Sequence, residues 1–372
     1  MQRILHFVHS LTTGGGLSNF IMNYYRQIDR SKVQFDFVYF RDAKDDFIKE
    51  IKELGGRCFK FKEPDFSFSY LKQANIFFSE HFGEYVAIHC HALFSPFFYG
   101  KVAKKHGINH IIVHAHSSIY GKGILRKIRN WFFIRKARRI ATEKVACSAK
   151  AGTFFFGKKT MSSSGVLILN NAIDCKKYIF NSQIRQKIRK ELNIADDTFL
   201  IGHVGGFSTT KNHVFMVDLL GQLRLVDPKY QMVFVGGEGI ASGSTLDLVK
   251  EKTSQLNLKP FIHFLGLRKD VFEVLMAFDL FLFPSIFEGL PISLVEAQAS
   301  GLHCVVSKNV TKEVDLGACS FIGLDEDISI WVSEIISVQP LDRPSFGETV
   351  LGTRFNIVKE ARTIEAFYLS LK

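Results

Sequence analysis

Two glutamates eight positions apart, Glu288 and Glu296, stand in the run Phe287-Glu-Gly-Leu-Pro-Ile-Ser-Leu-Val-Glu-Ala-Gln-Ala-Ser-Gly301. A carboxylate only accepts hydrogen bonds, and its two oxygens suit a vicinal diol. The preceding Asp279-Leu-Phe-Leu-Phe-Pro-Ser285 reads as a buried strand running into a loop. Pro291 then suits the first turn of a helix. Glu288 would stay in the loop, with Glu296 about 7–8 Å along the helix at 1.5 Å per residue. Two carboxylates so spaced could hold two different sugar rings on either side of a diphosphate. The N–H groups and dipole of the helix start would attract that anion, and Gly289 would let it approach the backbone closely. Spacing alone leaves a plainer reading open, with one capping glutamate and one solvated one.

A second glycine-rich turn, Thr12-Thr-Gly-Gly-Gly-Leu-Ser18, follows the first apolar run. It could cradle a phosphate or sugar, or be a tight structural turn. As a dinucleotide fingerprint it is poor, because Asn19 stands where the third glycine belongs; Asp36, about 20 residues on as that motif asks, is expected to start the second strand rather than end it. His89, His91, His114 and His116 sit at or just beyond expected strand ends. They come from different strands with no carboxylate or cysteine cluster nearby, which argues against zinc.

These residues need a scaffold of strand ends and helix starts. Short apolar runs alternate with amphipathic ones, the pattern of β-α units around parallel sheets. Strands are expected near Arg3–Val8, Phe35–Phe40, Val86–His89, Ile111–His114 and Lys144–Cys147, with helices over Ser18–Ile28, Phe47–Leu54, Phe68–Ser79 and Phe97–Lys105. The second half is expected to place strands near Phe199–Val204, Gln231–Val235, Ile262–Leu265, Leu280–Phe283 and His303–Val306. Its helices are expected over Val214–Val226, Thr245–Leu256, Val271–Ala277 and Ile292–Ser300. The turn residues of Asn170-Asn171-Ala172-Ile173-Asp174 mark a boundary, giving an α/β domain over 1–170 and another over 171–354. The tail 355–372 is read as a last helix packing back on the first domain.

The bulk numbers agree with two globular domains. The chain has 372 residues, 47% hydrophobic and 23% charged, which is neither a disordered nor a membrane-spanning composition. No secretory signal is read at the start. Six scattered cysteines, with no C-x-x-C pair, suggest reduced thiols and a cytoplasmic protein. Charge is uneven. Residues 1–170 carry 27 Lys+Arg against 12 Asp+Glu, and the remainder 21 against 24, so the first half is expected to face something anionic.

The segment Phe287–Gly301 resembles the E-x7-E segment of family 4 of the retaining glycosyltransferases, enzymes of the GT-B fold. Other segments match in order: Val145-Ala-Cys-Ser148, Asn171-Ala-Ile-Asp174, Ile201-Gly-His-Val-Gly-Gly-Phe-Ser-Thr-Thr-Lys-Asn-His213, Val233-Phe-Val-Gly-Gly-Glu-Gly239 and Phe264-Leu-Gly-Leu-Arg-Lys-Asp-Val271. The resemblance implies two Rossmann-like domains whose parallel sheets face each other across a cleft holding the active site. It implies that Glu296 binds the donor ribose, and that Glu288 with the amides of Gly289 and Leu290, beside Pro291, holds the transferred sugar. Lys211 would neutralise the leaving diphosphate, so no metal is expected, and the sugar nucleotide is a co-substrate, not a cofactor. Arg268 would lie near the nucleobase, contacting it through backbone, Gly15 and Gly16 would border the cleft, and His116 would approach the donor sugar. The family carries Gly-Arg-Phe in the donor-phosphate loop where this chain has Gly205-Gly206-Phe207, which removes one guanidinium from the phosphate. Ala172 likewise stands where the family has Gly.

Residues 122–144 hold nine basic residues and one acid, interleaved with Ile124, Leu125, Ile128, Trp131, Phe132 and Ile134. This mixture suggests an interfacial helix on an anionic membrane surface; a solvated helix face is the plainer reading, and no nucleic-acid module is visible. The resemblance thus implies retaining transfer from an NDP-sugar, UDP-linked by family habit, to a saccharide or lipid-linked saccharide in surface polysaccharide synthesis. A catalytically weak sugar-nucleotide-binding partner and an epimerase of the same fold are the alternatives.

Overall fold

The computed structural model describes residues 1–13, 15–65, 67, 69–116, 120, 123–163, 165–238 and 245–371. Gly14, Phe68, Lys122, Gly239 and Lys372, each part of a segment named above, lie outside the described residues. Met1–Ala172 together with Ile357–Lys372 form one compact unit, and Ile173–Asn356 form a second.

The first unit is built on a seven-stranded parallel sheet: β1 (Gln2–Val8), β2 (Val33–Tyr39), β3 (Cys58–Lys60), β4 (Tyr85–Cys90), β5 (His110–Ala115), β6 (Glu143–Ala146) and β7 (Leu167–Ile168), in the order β3-β2-β1-β4-β5-β6-β7. Its central strands are almost continuously buried, because helices cover both faces of such a sheet. The crossover helices include Gly16–Gln27, Ser95–Lys105 and the long Ile124–Ile140. The helix Ile357–Ser370 inserts Ala361, Ile364 and Tyr368 into the same core as Phe35 and Phe37.

The second unit repeats the plan with β8 (Phe199–Val204), β9 (Tyr230–Val235), β10 (Ile262–Gly266), β11 (Leu280–Phe283), β12 (His303–Ser307) and β13 (Cys319–Ile322), ordered β10-β9-β8-β11-β12-β13. All four β11 residues are buried. Both sheets are Rossmann-like, and together they make the chain an α/β protein of the GT-B fold.

Where sequence and structure differ, length and periodicity explain it. β3 and β7 span too few residues to show alternation. The helix Ser182–Glu191 was not anticipated, although Asn181 caps it by accepting from the N–H groups of Gln183 and Ile184, a readable start signal. Asp36 does not start β2 but sits in its middle, fully buried. There it accepts hydrogen bonds from Arg3, Arg57 and Tyr85, so it is a structural charge and not a ribose ligand.

Candidate active site

The strand order of the second unit reverses between β8 and β11, the place where an open parallel sheet leaves a crevice for ligands beyond its carboxyl ends. The loops leaving these two strands are fastened together. Ile286 N–H donates to Thr210 O at 2.8 Å, and Asn212 Nδ2 donates to Pro284 O at 3.3 Å. Asn212 has φ of 59°, a left-handed turn that asparagine tolerates. It ends the short 3-10 turn Thr209–Lys211 and starts the helix His213–Val226.

That turn aims Lys211 at the β11 loop. Lys211 Nζ lies 2.8 Å from Glu288 Oε1 and 4.6 Å from the ring centroid of Phe283, and both charged side chains are largely buried. The two residues given separate roles from sequence are thus partners. Gly289 beside them is exposed. Pro291 is the N-cap of the helix Ile292–Ala299 and not a residue of its first turn; having no polar side chain, it leaves that turn without a side-chain cap.

Glu296 lies on this helix and accepts a 2.7 Å hydrogen bond from Tyr178 Oη. Burial pushes its carboxyl above the usual range, and the Tyr178 hydrogen bond opposes that shift. Nothing in the spacing of the sequence links Tyr178 to Glu296, so this partner was not foreseen.

Gly205 and Gly206 meet the ends of β9 and β10. Gly205 N–H donates to Val235 O, Phe207 N–H to Gly237 O, and Gly236 N–H to Gly266 O. A Cβ on Gly236 would lie 2.1 Å from Gly205 O at a φ of 153°, so only glycine fits. Gly206 is exposed, and a Cβ there would meet only Gly237 O, at 3.3 Å. The Arg268 guanidinium is held bidentately by Asp270 and also by Glu191, which leaves only its backbone for a base. Beneath the site, buried His203 donates from Nδ1 to Leu282 O, while its Nε2 and both ring nitrogens of His213 have no partner among the described residues. Burial lowers the His213 pKa to about 3, with the Lys211 charge adding to the effect.

In the first unit, Gly15 is the N-cap and Gly16 the first residue of the helix Gly16–Gln27. A Cβ on Gly16 would meet nothing within 4 Å, whereas on Gly15 it would lie 2.8 Å from Thr12 Cγ2. The histidines, on different strands in the sequence, are neighbours in the fold. β1, β4 and β5 are consecutive neighbours in the sheet, so His6, His89, His91, His114 and His116 form one cluster. His91 Nδ1 lies 2.8 Å from His116 Nε2, His6 Nδ1 lies 3.0 Å from His91 Nε2, and His89 Nε2 lies 3.2 Å from His114 Nδ1. Burial lowers the pKa values of His6 and His116 to about 3 and holds those of the other three well below the usual imidazole value. All five are neutral near pH 7.

The helix Ile124–Ile140 buries Ile134 and Ala137. Ile124, Leu125, Ile128, Trp131 and Phe132 are exposed, by 70, 80, 58, 50 and 39%. At 3.6 residues per turn these five fall within about a third of the circumference, opposite the buried pair. The helix therefore has a second apolar face, turned to solvent.

Two parallel sheets, with a crevice at the strand-order reversal, define a doubly wound class of α/β protein. Residues 184–315 match the family described as glycosyl transferases group 1. A putative glycosyltransferase, EpsF of Bacillus subtilis (strain 168), is 34% identical over 349 residues, covering 92% of this chain and 89% of its own length. The UDP-Gal:alpha-D-GlcNAc-diphosphoundecaprenol alpha-1,3-galactosyltransferase of Escherichia coli is 26% identical over 220 residues, 55% of this chain and 54% of its own. Among solved structures, HepE of Anabaena in complex with UDP superposes with a TM-score of 0.81 at 19% identity, covering 100% of both chains. Sucrose-phosphate synthase of Thermosynechococcus elongatus gives 0.77 at 16% identity, covering 100% of this chain and 99% of the other. The chain belongs to the group 1 glycosyl transferases, and it is a glycosyltransferase. No helix among the described residues is long and apolar enough to cross a membrane.

Proposed function

We propose that this glycosyltransferase moves a hexosyl or N-acetylhexosaminyl residue from a UDP-sugar to a saccharide on a lipid-linked diphosphate carrier, with retention of configuration, in surface polysaccharide synthesis. The observation that carries the reading is the Lys211–Glu288 pair at the β8/β11 reversal, beside the uncapped start of the Ile292–Ala299 helix. A diphosphate there meets one cation and a row of N–H donors, a charge complement that needs no metal. Glu288 accepts from hydroxyls of the transferred sugar, with the amides of Gly289 and Leu290 beside it, and Glu296 accepts from the ribose. In the first unit, the resemblance makes Gly15, Gly16 and His116 the candidate donor contacts, His116 as a neutral imidazole. No protein nucleophile is assigned: the acceptor hydroxyl attacks the face that the phosphate leaves, and the departing phosphate takes its proton.

The UDP held by HepE and the diphosphoundecaprenol acceptor named for the Escherichia coli relative support the donor and acceptor classes. The solvent-facing apolar and basic surface of Ile124–Ile140 supports attachment to the anionic inner face of the cell membrane, where such a carrier resides. Gly206, standing where the resembling family has arginine, favours a second reading, a sugar-nucleotide-binding partner with weak turnover. A panel of UDP- and GDP-sugars separates the readings. UDP-sugars should raise Tm and, with a polyprenyl-diphosphate saccharide, yield a product of retained anomeric configuration. Stabilisation without turnover would favour the second reading, and an inverted product would sink the first.

A further inference from the structure

The two oxygens of the Glu296 carboxylate do different work. We propose that Tyr178 is the positioning residue of the donor ribose: by donating to Oε1 of Glu296 it fixes the carboxylate, turns Oε2 to the ribose and so sets the preference for a ribonucleotide. This role rests on Glu296 being the ribose acceptor, since Tyr178 acts through it.

Tyr178 closes the turn Cys175–Tyr178 near the start of the second unit, and the helix Ile292–Ala299 grips it at two points. Its hydroxyl lies 2.7 Å from Glu296 Oε1, and its carbonyl accepts from Ser300 Oγ at 2.9 Å. Ser300 is fully buried and is the C-cap of that helix. The Tyr178 ring packs against the same core as Leu290, with the Phe272 ring edge-on at 6.4 Å. An ionised carboxylate only accepts, so the phenol is the donor. Among the described residues no second hydrogen bond reaches the Glu296 carboxylate.

A glutamate held by nothing has to surrender its side-chain freedom when the nucleotide binds. Tyr178, anchored at its carbonyl and packed along its ring, takes that loss during folding, before the ribose arrives. It also acts on charge. Burial favours the protonated carboxyl, whereas the Tyr178 donor favours the ionised form, the better acceptor. Asp174 and Cys175, on the turn that leads to Tyr178, act on the phenol. The hydroxyl thus governs both the direction and the charge of the oxygen offered to the diol. Packing alone would not need it, since phenylalanine fills the same space.

The full chain is titrated by calorimetry with UDP and with the two UDP analogues that each lack one ribose hydroxyl. Wild type should favour UDP over at least one analogue by about tenfold. Tyr178→Phe should cut that ratio to about twofold while weakening UDP about fivefold. The acid limb of UDP binding should move up by about one pH unit, since the ionised carboxylate loses a donor. In a Glu296→Ala background the change to phenylalanine should leave UDP affinity as it is, because no carboxylate remains to be placed. If Tyr178→Phe fails to fold, Ser300→Ala, which frees the Tyr178 carbonyl, carries the test through the same ratio. Full discrimination in a folded Tyr178→Phe, with Glu296→Ala still weakening UDP, would overturn the positioning role alone. UDP affinity absent in the wild type, unchanged in Glu296→Ala, or equal to that of both analogues would overturn the ribose reading and the positioning role with it.

Discussion

Lys211 Nζ and Glu288 Oε1 stand 2.8 Å apart, joining the loop after β8 to the loop after β11. A donor diphosphate that draws on the Lys211 charge must share it with Glu288 or take it over, while Glu288 turns to sugar hydroxyls. In the proposed function the pair is both a holding contact for the two loops and part of the machinery of transfer. Lys211→Ala and Glu288→Ala should each lower kcat/KM by about 10²–10³, the range for losing one charge-stabilising group. The double variant should lose less stability than the sum of the two single losses, since either substitution already breaks the pair. Turnover kinetics and a double-mutant cycle of melting temperatures check this; strictly additive stabilities would mean that the contact is not formed in solution.

Glu296 gives a pH dependence with a definite sign. Burial raises its carboxyl pKa above the usual range against the pull of Tyr178, so between the ordinary and the raised value the folded state holds a proton that the unfolded chain has released. Stability then falls as pH rises from the ordinary glutamate value, about 4.3, through the raised one. Glu296→Gln should melt close to the wild type at pH 4 and above it at pH 7. The same substitution removes a charged acceptor, worth about 1.5–3 kcal/mol, so UDP should bind roughly ten- to hundredfold more weakly. A Gln variant that melts lower than wild type at pH 7 would contradict the burial argument.

How much of this could be read from the chain alone differs between the strands and the contacts. Phe199–Val204, Leu280–Phe283 and Val271–Ala277 coincide residue for residue with the expected elements, because each is a sharply bounded apolar or amphipathic run. Glu288 and Glu296 were visible because eight residues of one loop and helix hold them together. The Lys211–Glu288 contact spans 77 positions and Tyr178–Glu296 spans 118, and no periodicity encodes such separations. The histidine cluster was missed for the same reason, since strand order, and not strand content, brings β1 beside β4 and β4 beside β5.

Gly206 offers a test by restoration. A Cβ there meets only Gly237 O, at 3.3 Å, and its φ lies outside the left-handed region, so a side chain fits with a small adjustment. Gly206→Arg should tighten UDP binding by about tenfold, the effect of one charge-assisted hydrogen bond of about 1.5 kcal/mol. Calorimetric titration with UDP measures it. Weaker binding with an unchanged melting temperature would show that this chain neutralises the phosphate in a different way.

The exposed face of Ile124–Ile140 should bind vesicles of mixed phosphatidylcholine and phosphatidylglycerol, and lose that binding as salt rises. Replacing Leu125, Ile128 and Trp131 by serine should reduce binding at least tenfold and leave UDP affinity unchanged. Changing Arg126, Lys127 and Arg129 to glutamine should remove about 1 kcal/mol each. Co-sedimentation reports both effects. Equal binding to neutral and anionic vesicles would remove the electrostatic part of the reading.

The helix Ile357–Ser370 belongs to the unit that begins at Met1, and its Tyr368 holds His89 in the centre of that sheet. During synthesis, residues 173–356 emerge and can fold while the earlier unit still lacks a wall of its core. The first half translated is thus the last half finished. Until residues 357–371 leave the ribosome, Phe35, Ile364 and their neighbours have no common interior to share, and the imidazole cluster stays open to water. Chaperone demand and protease sensitivity during synthesis should therefore concentrate on the amino-terminal unit.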